Sequence, residues 1–236
     1  MSYDYASLSF DELTQTCLEM GLPKYRATQI FRNISRAIPL SEMTDLSKQL
    51  RESLSEKGTL FIPVAEDHLL SADGTEKFLF RLEDGNLIET VIMKYKHGNS
   101  VCISSQVGCL MGCKFCASTL RGKVRNLTAG EMLMQVAVAN KAVGISNIVI
   151  MGIGEPLDNY DNVVKFLRNV NDERGLNIGA RHISLSTCGI TERFDELAEL
   201  DLQLTLSVSL HAPDDETRSR IMPANRGRGV DELMAC

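Results

Sequence analysis

The sequence predicts an α/β protein with three parts. These are an N-terminal helical region, a small antiparallel β region, and a partial parallel (βα) barrel that is incomplete at the C-terminus. Three observations predict it. Apolar residues recur at helical spacing up to about residue 57. Short alternating runs between turn signals follow, to about residue 98. From about residue 100, strand, loop and helix patterns repeat, which implies a parallel sheet with helices outside. The expected boundaries are 1–58, 59–98 and 99–236.

Each element has a local reason. Ser9 and Glu12 form a capping box ahead of Leu13 and Leu18. The next helix carries Tyr25, Ile30, Phe31 and Ile34 inward, with Arg26, Arg32 and Arg36 for the solvent side. Met43, Leu46, Leu50 and Leu54 mark a third, which Gly58 stops. The period then changes. Leu60 to Val64 is a short apolar run, Asp73-Gly74 a turn, Lys77 to Leu82 an alternating strand, and Asp84-Gly85 another turn. Leu87 to Lys94 and Val101 to Ser104 are further strands. Thr128 and Glu131 make a second capping box. Met132, Val136, Ala139 and Val143 line one face of that helix, up to Gly144. Strands follow at 147–151, 183–186 and 204–210. Helices lie at 163–170, ending by Gly175, around Phe194 and Leu197, and from Val230 onward. Four βα units are too few for an eight-fold barrel.

Composition narrows the class. The 236 residues are 44% hydrophobic with a formal charge of −6. A sizeable core is expected, and general disorder is excluded. No 18-residue apolar run exists, so no membrane span is predicted. The acidic, polar N-terminus lacks the features of a signal peptide. A cytoplasmic monomer is expected. Four of the seven cysteines crowd into residues 102–116, which in that compartment points to metal or redox chemistry.

Within QVGCLMGCKFCA, Cys109, Cys113 and Cys116 form a Cys-x3-Cys-x2-Cys loop. Thiolates at that spacing suit a cubic 4Fe-4S cluster. Three thiolates hold three irons and leave the fourth open to bind something else. Gly108 and Gly112 favour a loop folded tightly around a ligand. A zinc site would want a fourth ligand, and His97 has no motif relation to the triad.

This loop, after the first strand of a βα series and with Phe115 before its third cysteine, resembles the radical S-adenosylmethionine superfamily. CISSQVGCLMGCKFCAS, RNLTAGE, MGIGEPLDN, ISLSTCGI and SLHAPDDETRSRIMPAN together resemble the RlmN group of RNA adenine-C2 methyltransferases. The resemblance runs from about Tyr25 to the last residues. It implies a radical S-adenosylmethionine barrel in which the cofactor's amino and carboxylate groups chelate the open iron. An electron then splits the sulfonium to a 5′-deoxyadenosyl radical.

The same resemblance assigns roles. Gly154 and Glu155 would contact the amino end of S-adenosylmethionine, at a glycine-rich strand end that is not a dinucleotide fingerprint. Ser186, Ser209, Leu210 and His211, at the next two strand ends, would line the cofactor pocket. Alone, each reads as an ordinary turn partner. Glu89 would be the general base that removes the adenine C2 proton. Strand alternation sets it on one face with Leu87, Val91 and Met93, and a carboxylate among apolar neighbours would have a raised pKa. The alternative is a glutamate facing water. Cys102 would be a resolving thiol that forms a disulfide with a methyl-carrying cysteine; alone it reads as a buried strand cysteine. Cys188 reads as a small bystander.

Partners follow. Lys114, Arg121, Lys123, Arg125, Arg218, Arg220, Arg226 and Arg228 bracket the site and suggest phosphate contacts. The resemblance implies ribosomal RNA as substrate, transfer RNA as a second candidate, and an electron donor such as flavodoxin. Residues 1–58 would add to the RNA surface. The family's methyl-carrying cysteine and last strands have no match here. The chain is therefore expected to be a truncated form that cannot complete turnover and that tends to aggregate at its open edge. Competing readings are Cfr-like methylation at C8, another radical enzyme such as a glycyl-radical activase, and a zinc-bound RNA-binding module without catalysis.

Overall fold

Residues 2–236 are described by a computed structural model. The helical region holds α1 (Phe10–Glu19), α2 (Tyr25–Ser35) and α3 (Lys48–Lys57) between two short parallel strands, β1 (Tyr3–Asp4) and β2 (Gly58–Thr59). The Ser9–Glu12 capping box closes both ways. The third helix starts later than its apolar spacing suggests. Ser47 caps it by accepting from Leu50 N–H, so Met43 and Leu46 are buried in the preceding turn.

Strands β3 (Val64–Leu70), β4 (Glu76–Arg81), β5 (Leu87–Tyr95) and β6 (Gly98–Ile103) form an antiparallel meander. A short hairpin, β7 (Gln106–Gly108) with β8 (Lys123–Asn126), follows. Then come α4 (Ala129–Val143), β9 (Asn147–Ile150), α5 (Tyr160–Asn171), β10 (Ile183–Thr187), α6 (Phe194–Ala198) and β11 (Thr205–Val208). Two short helices, α7 (Asp215–Ile221) and α8 (Val230–Ala235), end the order.

One seven-stranded sheet results, in the order β11-β10-β9-β6-β5-β4-β3. Strands β6, β9, β10 and β11 are parallel, as repeated βα units require. The antiparallel strands extend that sheet, so the expected boundary at 98/99 falls inside the β5–β6 hairpin.

Alternation decides the faces. Ile88, Ile92, Val101, Ile103, Ile148, Ile150, Ile183 and Leu185 are all under 2% exposed and face the core. Helix α4 is buried nearly all round, at Met132, Leu133, Met134, Val136 and Ala137, because α2 and the residues after β1 pack on its far side. Gly130 has Ala6 so close that a Cβ there would meet it at 2.8 Å. One core runs from Tyr5 to Leu233. No helix among the described residues is long and apolar enough to cross a membrane.

Candidate active site at the strand ends

A cavity of about 270 Å³ opens at the carboxyl ends of β9, β10 and β11, where parallel sheets place their ligand sites. Its walls include Cys109, Cys113 and Cys116, with Gly154, Glu155, Ser186, Ser209 and His211. Each arrives for a local reason. The β7–β8 hairpin pinches the cysteine loop at its base, with Cys109 N–H donating to Gly122 C=O at 3.2 Å. Gly108 sits at φ +75°, and a Cβ there would collide with the Gly122 carbonyl. The far end is tied down by Lys114 N–H donating to Ile221 C=O at 2.9 Å.

Gly154, at φ +113°, lies so close to Gln106 that a Cβ would meet the Gln106 Cβ at 2.6 Å. Gln106 is fully buried. Its Oε1 accepts from Glu155 N–H at 2.9 Å, and its Nε2 donates to Asn126 and Asp158, both at 2.8 Å. Glu155 is 3% exposed. One carboxylate oxygen accepts from Leu157 N–H at 3.1 Å, the other from Cys188 N–H at 2.8 Å. The Ser186 and Ser209 hydroxyls lie 3.4 Å apart across the β10–β11 pair. His211, at φ +59°, packs its ring 4.7 Å from that of Phe115.

The triad fits a cluster better than a single ion. All three cysteines are free and border one cavity. Yet no three His, Cys, Asp or Glu side chains among the described residues converge on one metal position. A tetrahedral zinc site needs its donors about 2.0–2.3 Å from a single centre. A cube spreads its thiolates over three irons. Burial pushes the Cys109 and Cys113 thiols up, and the neighbouring thiols and Glu155 add to that. Such thiols lose their protons when they take a metal.

The remaining expected residues fall elsewhere. Leu210 does not border the cavity; its side chain packs on the core and its carbonyl accepts from Arg218. Glu89 and Cys102 also lie outside the cavity wall. They share one sheet face, since Cys102 pairs with Val91, two residues from Glu89. Burial raises the Cys102 thiol pKa, with a contribution from the Glu89 charge. The expected apolar setting of Glu89 is not found. Its side chain is 41% exposed, and its carboxylate pairs with Lys77 Nζ at 2.5 Å. Register explains it: Leu79 lies opposite Glu89, which brings Lys77 to the diagonal position.

The basic cluster needs a correction too. Lys123 pairs with Asp158, Arg125 with Asp84 and Glu131, and Arg228 with Glu192. Arg218 is 2% exposed and closed to a phosphate arriving from solvent. Sequence reasoning missed Gln106, Asp158 and the buried setting of Arg218. A glutamine in a short hairpin strand carries no periodic signal, and an arginine on a polar helix reads as solvated. Cys188 proves to be part of the cavity wall, packed with Cys113 and Met222.

Similarity to known proteins bears on this geometry. Residues 103–235 match the radical SAM superfamily, and residues 4–60 match the ribosomal RNA large subunit methyltransferase N-terminal domain. A protein of Clostridium novyi (strain NT), named "Probable dual-specificity RNA methyltransferase RlmN", is 52% identical over 98% of this chain and 69% of its own length. A protein of the same name from Lachnospira eligens is 52% identical over 98% of this chain and 67% of its own length. A crystal structure of a radical SAM methyltransferase from Sphaerobacter thermophilus superposes with a TM-score of 0.94. It is 42% identical, over 98% of this chain and 70% of that one.

Proposed function

We propose a function from one premise: this chain belongs to the radical S-adenosylmethionine superfamily and, within it, to the RlmN family. It is an RNA methyltransferase that uses a 4Fe-4S cluster and S-adenosylmethionine. The product is adenosine methylated at C2 in large-subunit (23S) ribosomal RNA, with transfer RNA as a second substrate. The observation that carries this reading is the shared cavity. Three cysteines, a buried carboxylate and two strand-end hydroxyls face one space of about 270 Å³.

When bound, the cluster would supply the electron that splits the sulfonium to a 5′-deoxyadenosyl radical and would take one electron back as the adduct resolves. The chain's own residues bind and orient. Cys109, Cys113 and Cys116 would hold the cluster. Glu155 is fixed by two backbone N–H groups and keeps lone pairs for an ammonium group. Ser186 and Ser209 offer hydroxyls to the rest of the cofactor, and His211 with Phe115 flanks it. Leu210 acts through its backbone, which positions the strand end.

Adenine C2 is an electron-poor carbon, so direct methyl transfer to it fails. In the two-cofactor route the 5′-deoxyadenosyl radical takes a hydrogen atom from the methyl group of a methylated cysteine, a role assigned to no residue of this sequence, and the resulting carbon radical adds to C2. Glu89 then takes the C2 proton. Lys77 Nζ, 2.5 Å from its Oε1, orients the Glu89 side chain. The Cys102 sulfur attacks the sulfur of the methyl-carrying cysteine. The sulfur–carbon bond to the adenine breaks, a disulfide forms, and the released carbon takes up a proton. The electron comes from a small donor such as flavodoxin.

Anaerobically reconstituted protein should contain iron and sulfide and release 5′-deoxyadenosine from S-adenosylmethionine under dithionite. Cys109→Ala should do neither. In cells, RNA mass spectrometry should show 2-methyladenosine that vanishes when the gene is deleted. Loss of 8-methyladenosine instead would move the assignment to C8. Colourless protein holding zinc would overturn it.

A further inference from the structure

Arg218, in α7, heads the largest fully buried side chains of the molecule. Its guanidinium fills a knot between three segments. Nε donates to Leu210 C=O at 3.1 Å. Nη2 donates to Cys188 C=O at 2.7 Å and Ser209 C=O at 3.3 Å, and Nη1 donates to Asn225 Oδ1. Every one of these acceptors is neutral. Asp215 reaches the knot only through Asn225, whose Nδ2 donates to its Oδ1 at 2.9 Å. A buried cation usually has a direct anionic partner, because desolvating an unpaired charge costs several kcal/mol.

The missing anion has a natural place. Cys188 packs with Cys113 and Met222, and the end of α7 holds the cysteine loop through Lys114. Arg218 thus sits directly behind the cysteine loop, its Nη2 on the carbonyl of the Cys188 that packs against Cys113. Cys188 is gripped from both sides: Glu155 takes its N–H and Arg218 takes its C=O.

We propose that Arg218 is a positioning residue that also acts through its charge. It is the buried counter-charge to the thiolates of Cys109, Cys113 and Cys116, and its cation eases reduction of the cluster they hold. This rests on the cluster assigned above. Reduction adds one negative charge. A fixed cation in a low-dielectric site favours the reduced form, and local charge is among the main controls of such potentials. The fork also locks the ends of β10 and β11, which carry Ser186 and Ser209.

An EPR-monitored redox titration of the reconstituted full chain tests it. Arg218→Gln removes the charge. Asn225→Asp keeps the arginine and sets a carboxylate against it in nearly the same shape. Both should lower the reduction equilibrium by about tenfold, ~59 mV for one electron. Arg218→Lys keeps the charge and should stay near the wild-type midpoint even if it loosens the pocket. If Arg218→Gln fails to fold, Asn225→Asp decides. Unchanged midpoints with cluster present would overturn the proposal and reduce Arg218 to a structural clamp. Wild-type protein that takes up no cluster would instead remove the functional reading beneath it.

Discussion

Glu155 joins fold and chemistry in one carboxylate. Its two oxygens each satisfy a backbone N–H, and it borders the cavity. Glu155→Gln should turn one of those acceptors into a donor facing an N–H. Leaving that buried group unpaired costs about 1–3 kcal/mol. The variant should melt at a lower temperature. It should also bind S-adenosylmethionine at least about tenfold more weakly by calorimetry, since the charge opposite an ammonium is gone. Unchanged affinity would detach Glu155 from the cofactor. Asp84 offers a pH test. Its hydrogen bond to Arg125 holds its carboxyl well below the usual carboxylate range. A depressed folded pKa adds stability at and above that range, and this share is lost as pH falls below about 4. Asp84→Asn should therefore flatten the acid limb of a plot of melting temperature against pH. The effect should be small, because the pair is 39% and 31% exposed. Glu155 was legible from its place in MGIGEP at a strand end. The Lys77 partner of Glu89 was not, because it lies twelve residues away and meets it only through register.

At the scale of elements, legibility followed periodicity. Helices α1, α2, α4 and α5 and the parallel strands carry apolar spacings that one face of a core imposes. Three elements carry none. Strand β3 is exposed at every residue, so no burial pattern marks it. Helix α7 is polar up to its last residue, Ile221, and its one fully buried side chain is an arginine. The β7–β8 hairpin has strands of three and four residues, separated by the cysteine loop it closes. That hairpin decides whether three cysteines spread over eight residues meet one cavity. Gly108 is its weak point, since the left-handed backbone and the Gly122 carbonyl both exclude a side chain. Gly108→Ala should leave the far-ultraviolet circular dichroism near wild type while iron retained after gel filtration falls severalfold. Full iron content in the variant would show that the loop closes without this crossing.

Over the whole molecule, the three regions expected from the sequence share one core, and the second and third share one sheet. The helical region makes polar contacts with the barrel helices: Ser7 Oγ accepts from Gly130 N–H at 2.9 Å, and Lys165 pairs with Glu12 at 2.8 Å. The Arg174 guanidinium lies 3.4 Å from the Phe10 ring centroid. Apolar burial makes the same join. Ala27, Ile30 and Ile34 of α2 belong to the cluster that includes Leu133 and Val136 of α4. A domain that folds alone keeps its core to itself and meets neighbours through modest polar interfaces. Here, separating residues 4–60 from the rest would expose buried faces on both sides, at roughly 25 cal/mol for each Å² of apolar surface uncovered. The chain should therefore unfold in denaturant as a single transition. Three of the five tyrosines, Tyr3, Tyr5 and Tyr25, lie in the helical region, so tyrosine fluorescence is weighted towards it. It should lose its signal at the same midpoint as the circular dichroism of the whole. An early tyrosine transition, with most of the circular dichroism retained, would mean that the helical region docks on a barrel already stable without it, and its side of α4 would then be an interface rather than core.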